Sequence, residues 1–278
     1  MTTTLRPTGP IQSGADGAQQ RAYDVCDNGR PVGSVTLAVE PGEGGATGVV
    51  KDLRIDEAVR RRGRGTIAAL AAEEILRGWG CSQVRTGVAA GDPAGQRLAA
   101  ALGYTENSRH MVKTLPEQPP ALADGLTARP IGPQEYTAWK DGAIAAYAES
   151  LVTRHVPREE ALEVARASYT RHLPDGLATE GARLEYLIHE GATVGHIWVA
   201  PFEMHPGLRV GYVFDVEVRE EARGRGYGRA LMLQAERIAL AAGERKIGLH
   251  VVTANTPAVR LYETLGYAPT KFHLAKPM

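Results

Sequence analysis

The side chains best suited to moving protons lie between Asp215 and Tyr262. His250 sits in Lys246-Ile247-Gly248-Leu249-His250-Val251-Val252, where strand alternation turns it away from the face of Ile247, Leu249 and Val251. An imidazole changes charge near neutral pH, which makes His250 the first candidate for a general base. Asp215 and Glu217 alternate onto one face of another strand, and either carboxylate can relay a proton through water or attract a cation; Glu217 is the second candidate. Tyr262, on a short helix, carries a hydroxyl that can exchange a proton. Such a set suits chemistry in which protons are taken up and given back. Each member also has a structural reading, as a satisfied strand histidine or as a tyrosine that packs its helix.

A turn of a different kind precedes this region. Strand Tyr212 to Val218 runs into Arg223-Gly224-Arg225-Gly226-Tyr227-Gly228 and then into a helix. Glycines let the backbone turn tightly and aim several N–H groups at one point, and a helix N-terminus adds partial positive charge. That combination seats a pyrophosphate. A Walker loop would need Gly-Lys-Ser/Thr, and a dinucleotide loop would follow a βαβ unit; neither is present.

The turn occurs twice. An offset of 163 positions lays Arg60–Tyr104 on Arg223–Tyr267 without a gap, and 15 of the 45 pairs are identical, against about 3 by chance at ordinary composition. Among them are Arg60 with Arg223, Gly63 with Gly226, Gly65 with Gly228, and Leu102-Gly103-Tyr104 with Leu265-Gly266-Tyr267. The chain is a duplication. Residues 1–115 form the first copy and 126–278 the second, with residues 116–125 as the linker between them.

 The joining stretch is Pro116-Glu117-Gln118-Pro119-Pro120 followed by Ala121 to Gly125, too rich in proline to sustain a helix or a ladder.

Periodicity and turn residues place the elements that must hold these groups. In the second copy, Leu126 to Ile131 reads as a strand and Gln134 to His155 as a helical span. Pro157 opens a further helix running to about His172. Strands follow at Arg183–His189, Thr193–Ala200 and Arg209–Val218. A helix from Gly228 to Ala242, a strand from Lys246 to Val252, a helix from Pro257 to Leu265 and a last strand after Gly266 complete the copy. The first copy keeps the later part of this order, with strands near Ala22–Asp27, Val32–Val39 and Thr47–Ile55 and a helix from Thr66 to Trp79. It has only Thr8 to Gln19 where the second copy has about fifty residues with two helices. The expected fold class is α+β, with a mixed sheet in each copy.

Arg-x-x-Gly-x-Gly after a valine-alternating strand resembles the acyl-CoA-binding motif of the GNAT acetyltransferase superfamily. Asn255, Ala258, Tyr262 and Gly266-Tyr267 resemble that family's second signature. The resemblance implies two tandem GNAT domains, the first truncated, and an acetyl-CoA-dependent N-acetyltransferase acting on a primary amine by direct attack. It implies that the backbone from Val216 to Val218 pairs with the pantetheine arm of acetyl-CoA. It also implies that Arg223, Gly224, Arg225, Gly226, Tyr227, Gly228 and Arg229 seat the pyrophosphate. Asn255 would lie near the thiol end, or serve only as an N-cap ahead of Thr256-Pro257. Tyr262 occupies the place of the tyrosine that protonates CoA sulfur, and His250 a place similar to a glutamate base in ribosomal-protein N-terminal acetylases. In the first copy Gly87, Asp92, Gly95 and Ala99 stand where His250, Asn255, Ala258 and Tyr262 stand in the second. Catalysis is therefore expected in the second copy alone. Arg54, Arg60 to Arg62 and Arg64 of the first copy either seat CoA phosphates or form a solvated face.

Composition limits the alternatives. Thirty-two basic residues balance 32 acidic ones, which argues against nucleic acid as a partner. Two cysteines and no Cys/His cluster at ligand spacing argue against a disulfide framework or a metal. No run approaches the roughly 18 apolar residues of a membrane span, so a cytoplasmic protein, monomeric or homodimeric, with a small-molecule or peptide amine as substrate is expected. Acceptor-site residues are expected from Trp139 to Arg171, with Trp139, Tyr147 and Glu149 as candidates, and near Trp198 and Tyr212. Two other readings remain: a non-catalytic acyl-CoA sensor, and a tandem enzyme like mycothiol synthase, from whose pattern Leu249-His250-Val251-Val252 and the run after Tyr267 depart.

Overall fold

The computed structural model describes residues 2–14, 17–40, 45–153 and 156–278. The elements are β1 (Thr3–Pro7), β2 (Gln12–Ser13), β3 (Gln19–Asp27), β4 (Arg30–Glu40), β5 (Ala46–Ile55), α1 (Arg64–Gly78), β6 (Cys81–Ala89), α2 (Pro93–Ala101) and β7 (Thr105–Thr114). After the linker come β8 (Leu126–Pro130), α3 (Pro133–Val152), α4 (Arg158–His172), β9 (Arg183–His189), β10 (Ala192–His205), β11 (Leu208–Val218), α5 (Tyr227–Ala241), β12 (Lys246–Val252), α6 (Thr256–Thr264) and β13 (Ala268–Pro277).

The expected elements are present with small shifts at their ends. Pro157 lies just before α4 rather than within its first turn, and α3 ends at Val152; His155, the end of the expected span, is outside the described residues. The start of α3 is fixed by Glu135, which accepts from the Gly132 N–H at 3.0 Å and pairs with Arg129 through two contacts of 2.7 Å. Strand β10 extends five residues beyond Ala200, because Pro201 to His205 continue the antiparallel pairing with β11.

Two compact units result, and they do not follow the boundary expected from the linear sequence. The first unit takes the chain up to Ser108 together with Lys271–Met278; the second lies within Arg109–Thr270. Strand β13 pairs antiparallel with β6, from Lys271 opposite Ala89 to Pro277 opposite Gln83, so the end of the second copy completes the first sheet. In the second sheet the order is β7-β12-β11-β10-β9-β8, so the end of the first copy completes the second.

Chemistry that the duplication repeats explains the exchange. Glu236 on α5 is 1% exposed, and Lys113 of β7 reaches its carboxylate at 2.6 Å while lying 5.8 Å from the Tyr267 ring centre. In the first unit Glu73 on α1 is also buried, with Lys276 of β13 at 2.7 Å from its carboxylate and 5.1 Å from the Tyr104 ring centre. All three members of each set are related by the same offset of 163. Each buried glutamate thus takes its counter-ion from the other copy's last strand.

The cores follow strand alternation and helix periodicity. Val25, Leu37, Val50, Leu76 and Val84 pack in the first unit, and Ile197, Val213, Leu231, Met232, Ile247 and Leu249 in the second. A Cβ at Gly211 would approach the Ala239 Cβ to 2.6 Å, and one at Gly48 would approach Leu76 Cδ1 to 2.8 Å. Glycine is needed where the crossing helix lies closest to its strand.

Removing one partner of a buried ion pair leaves an uncompensated charge, at a cost of about 3 kcal/mol. Lys113→Met should lower the free energy of unfolding in denaturant by that amount, and adding Glu236→Leu should restore most of it; a loss within measurement error would contradict the role given to the pair.

Candidate functional site

In the second unit, β11 and β12 run parallel but pair at only three positions, Gly211 with Ile247, Tyr212 with Gly248 and Val213 with Leu249. Beyond Val213 the register of this pair ends, leaving the edges of Phe214–Val218 and His250–Val252 unpaired with each other. On its other side, β11 pairs with β10 through a bulge: Trp198 opposes Asp215, while Val199 opposes Val213. Phe214 is the extra residue. A bulge bends its strand and re-aims its side chains, and this one brings Phe214 and Asp215 to the same face.

That face carries a polar network. The Asp215 carboxylate oxygen Oδ2 accepts from the Tyr169 hydroxyl at 3.3 Å and lies 2.9 Å from His196 Nε2. Burial and then the Asp215 charge hold the Tyr169 hydroxyl well above its usual range. His196 pairs across the strands with Glu217. Aromatic rings surround the network: Trp139 stands edge-on to His196 at 5.9 Å and to Trp198 at 6.3 Å, and Trp198 stacks on Phe214 at 4.7 Å. Tyr212 and Phe202 continue the cluster. Helices α3 and α4 therefore supply Trp139 and Tyr169 to this face, while Ile197 and Val213 pack on the opposite side with the residues of α5.

Tyr262 projects from α6, which Asn255 caps by accepting from the Ala258 N–H at 3.3 Å. Burial first, and the Asp215 charge second, push the Tyr262 hydroxyl up to about 12. It stays protonated at neutral pH and stands within the electrostatic reach of Asp215. His250 is exposed on β12, its ring edge-on to His110 at 5.2 Å.

After Val218 a short 3-10 turn, Glu220–Ala222, leads to the glycine loop. Gly224 and Gly226 have φ of +76° and +83°, and Gly226 caps α5. The first N–H groups of an α-helix lack intrahelical acceptors, so this end of α5 suits an anion. Val216 and Val218 pack against the core through their side chains, leaving their backbone along the edge of the divergence. Not every residue expected here faces outward. The Tyr227 side chain is buried with its hydroxyl 3.0 Å from His189 Nδ1, so only its backbone can serve the loop. Arg223 donates from Nε to the Val218 carbonyl at 3.3 Å, closing the turn, as Arg60 does to Ile55 at 2.7 Å in the first unit. Arg64, expected within a basic run, is instead buried and paired with Asp27. Arg225 and Arg229 remain partly or fully exposed.

His250 and Glu217 are the bases that the sequence favours; the structure adds His196. Its signal was present: His196 and Trp198 alternate with Ile197, which marks a second occupied face of β10. The bulge that joins His196 to Asp215 has no such mark.

Parallel strands that part beside a glycine-turned helix N-terminus, with the Asp215 carboxylate and the Tyr262 hydroxyl on neighbouring elements, make up the candidate site. The Acetyltransferase (GNAT) family profile matches residues 6–104 and again 158–267, and the chain belongs to that family. The Uncharacterized N-acetyltransferase YycN of Bacillus subtilis is 30% identical over 89 residues, which are 32% of this chain and 56% of that protein. The Mycothiol acetyltransferase of Salinispora tropica is 28% identical over 238 residues, 82% of this chain and 72% of that protein. A solved Tandem GNAT protein from the clavulanic acid biosynthesis pathway has a similar fold, with a TM-score of 0.52 and 21% identity over 95% of this chain and 85% of that one. No helix among the described residues is long and apolar enough to cross a membrane.

The direction of the Tyr262 shift fixes a pH dependence. An unfolded tyrosine ionises near 10, so the stability from keeping Tyr262 neutral is whole below pH 10 and falls away as pH rises through about 12. The unfolding free energy of the wild type should therefore drop relative to Tyr262→Phe between pH 10 and 12; parallel profiles would show that the hydroxyl is not held neutral by its surroundings.

Proposed function

We propose that the chain transfers the acetyl group of acetyl-CoA to a primary amine, with chemistry in the second unit. The observation that carries this reading is the contrast between the copies at one place in the fold. Where the second unit has Asp215 in contact with His196 and Tyr169, and Tyr262 on α6, the first unit keeps a carboxylate at the matching position, Asp52, but sets it beside Arg54 at 3.8 Å, and has Ala99 on α2.

The residues present fit the cosubstrate: the loop from Arg223 to Gly228 and the N-terminus of α5 suit a pyrophosphate, and the unpaired edge Val216–Val218 suits an amide-bearing arm. When bound, acetyl-CoA supplies the thioester that the amine attacks. Asp215 attracts the ammonium form and takes up its proton, directly or through water, while His196 and Tyr169 hold the carboxylate in place. Tyr262 donates its proton to the departing thiolate. Glu217 lies on the same face and adds negative potential for a cationic acceptor. His250, exposed on the neighbouring strand, is the other candidate base. The ring cluster of Trp198, Phe202, Tyr212 and Phe214 gives the acceptor an apolar wall. A second reading, an acceptor from mycothiol metabolism, is favoured by the named relative that spans most of this chain.

Replacing Tyr262 with Phe should lower kcat by about 10²-fold or more while leaving acetyl-CoA affinity close to that of the wild type; unchanged turnover would remove it from the acid role. In calorimetric titration of acetyl-CoA, Gly226→Val should abolish binding in the second unit. Activity surviving in Gly226→Val but lost in Gly63→Val would move the working site to the first unit.

A further inference from the structure

We infer that the first unit binds a small multivalent organic anion at the place where the second unit is proposed to hold an amine. Strands β5 and β6 pair in parallel only as far as Val50 with Thr86 and then part, as β11 and β12 do. A bulge lies in the corresponding stretch of β5, between Lys51 and Arg54, where Asp52 has φ of +52°. A left-handed backbone is disfavoured at a residue other than glycine, so the opening persists in the first unit at some expense.

Beside this opening is a cavity of 430 Å³, within the range of small-molecule sites. Lys51 enters it from β5, Arg85 from β6 and Lys271 from β13. Gly87 makes room for the third cation, since a Cβ there would lie 2.4 Å from the Lys271 Cε. Two acids, Glu40 and Asp52, also line the cavity, and Asp52 faces Arg54 at 3.8 Å. Three cations thus face two carboxylates, of which Asp52 also has Arg54 beside it. The Thr86 hydroxyl donates to the Val50 carbonyl and keeps its lone pairs, while Asn107 brings an amide to the lining.

The offset of 163 shows how the polarity changed. Phe214 and Glu217 of the second unit correspond to Lys51 and Arg54, and Gly248 to Arg85. Asp215 keeps its counterpart in Asp52, but an aromatic ring, a carboxylate and a glycine around it in one copy are replaced by cations in the other. Cations from three separate strands around a cavity of this size suit two or three carboxylates, or a phosphate ester, better than a singly charged ion or an amine.

The test is calorimetric titration of the full chain with citrate and, separately, glycerol 3-phosphate, in the wild type and in Lys51→Gln, Lys271→Gln and Arg225→Gln. Lys51 and Lys271 are exposed, and unchanged thermal unfolding of their variants would show that the fold is kept. At least one anion should bind, and each lysine variant should weaken it about tenfold, with Arg225→Gln close to the wild type. Preference between the two anions would identify the carboxylate or the phosphate as the recognised group. No heat from either anion, or loss confined to Arg225→Gln, would overturn the inference. The outcome is independent of turnover, so failure here would leave the acetyltransferase reading standing.

Discussion

The parting of two parallel strands is the constraint on which the candidate site depends. Strands β11 and β12 share three paired positions and then diverge, so the backbone past Val213 keeps hydrogen-bonding groups that the β12 side does not use. Backbone donors and acceptors are rarely left without partners, and such an edge is a ready binding surface for an extended amide. The bulge at Phe214 adds to the bend and turns Asp215 toward His196 and Tyr169. The glycine loop then delivers the N-terminus of α5 to the same end of the strand. One irregularity in one strand therefore arranges the surface for the cosubstrate, the carboxylate and the aromatic wall.

The duplication separates what this architecture requires from what the chemistry requires. Both units keep the diverging strands, a left-handed glycine at the helix cap (Gly63 and Gly226) and an arginine that bonds the strand's last carbonyl. Both keep a buried glutamate neutralised by a lysine from the exchanged strand. These features serve the fold and its loop. The tyrosine on the short helix, the His196–Asp215 contact and the paired helices α3 and α4 occur in the second unit, and they are the parts that acyl transfer to an amine would use. The exchange of β7 and β13 also makes each sheet depend on both halves of the chain.

Much of the fold could be read from the sequence because its signals are local. Alternation located the strands, Asn255 ahead of Thr256-Pro257 marked the start of α6, and the repeat exposed both glycine loops. The strand exchange was hidden because β13 presents the same pattern to either sheet; contacts such as those of Lys113 and Lys276 with distant glutamates distinguish the partners. Arg64 looked like part of a basic loop, yet its Asp27 partner lies 37 positions away and draws it inward. The bulge was hidden because Tyr212 to Val218 alternates regularly in sequence, so His250 and Glu217 drew attention that Asp215 and His196 share in the structure.

The most direct test of the account is a crystal structure of the chain with acetyl-CoA. The account predicts the pantetheine arm along the backbone of Val216–Val218, the pyrophosphate at Gly224–Gly228, and the thioester sulfur within hydrogen-bonding distance of the Tyr262 hydroxyl. A thioester held only in the first unit, or one in the second unit with its sulfur turned away from Tyr262, would contradict it.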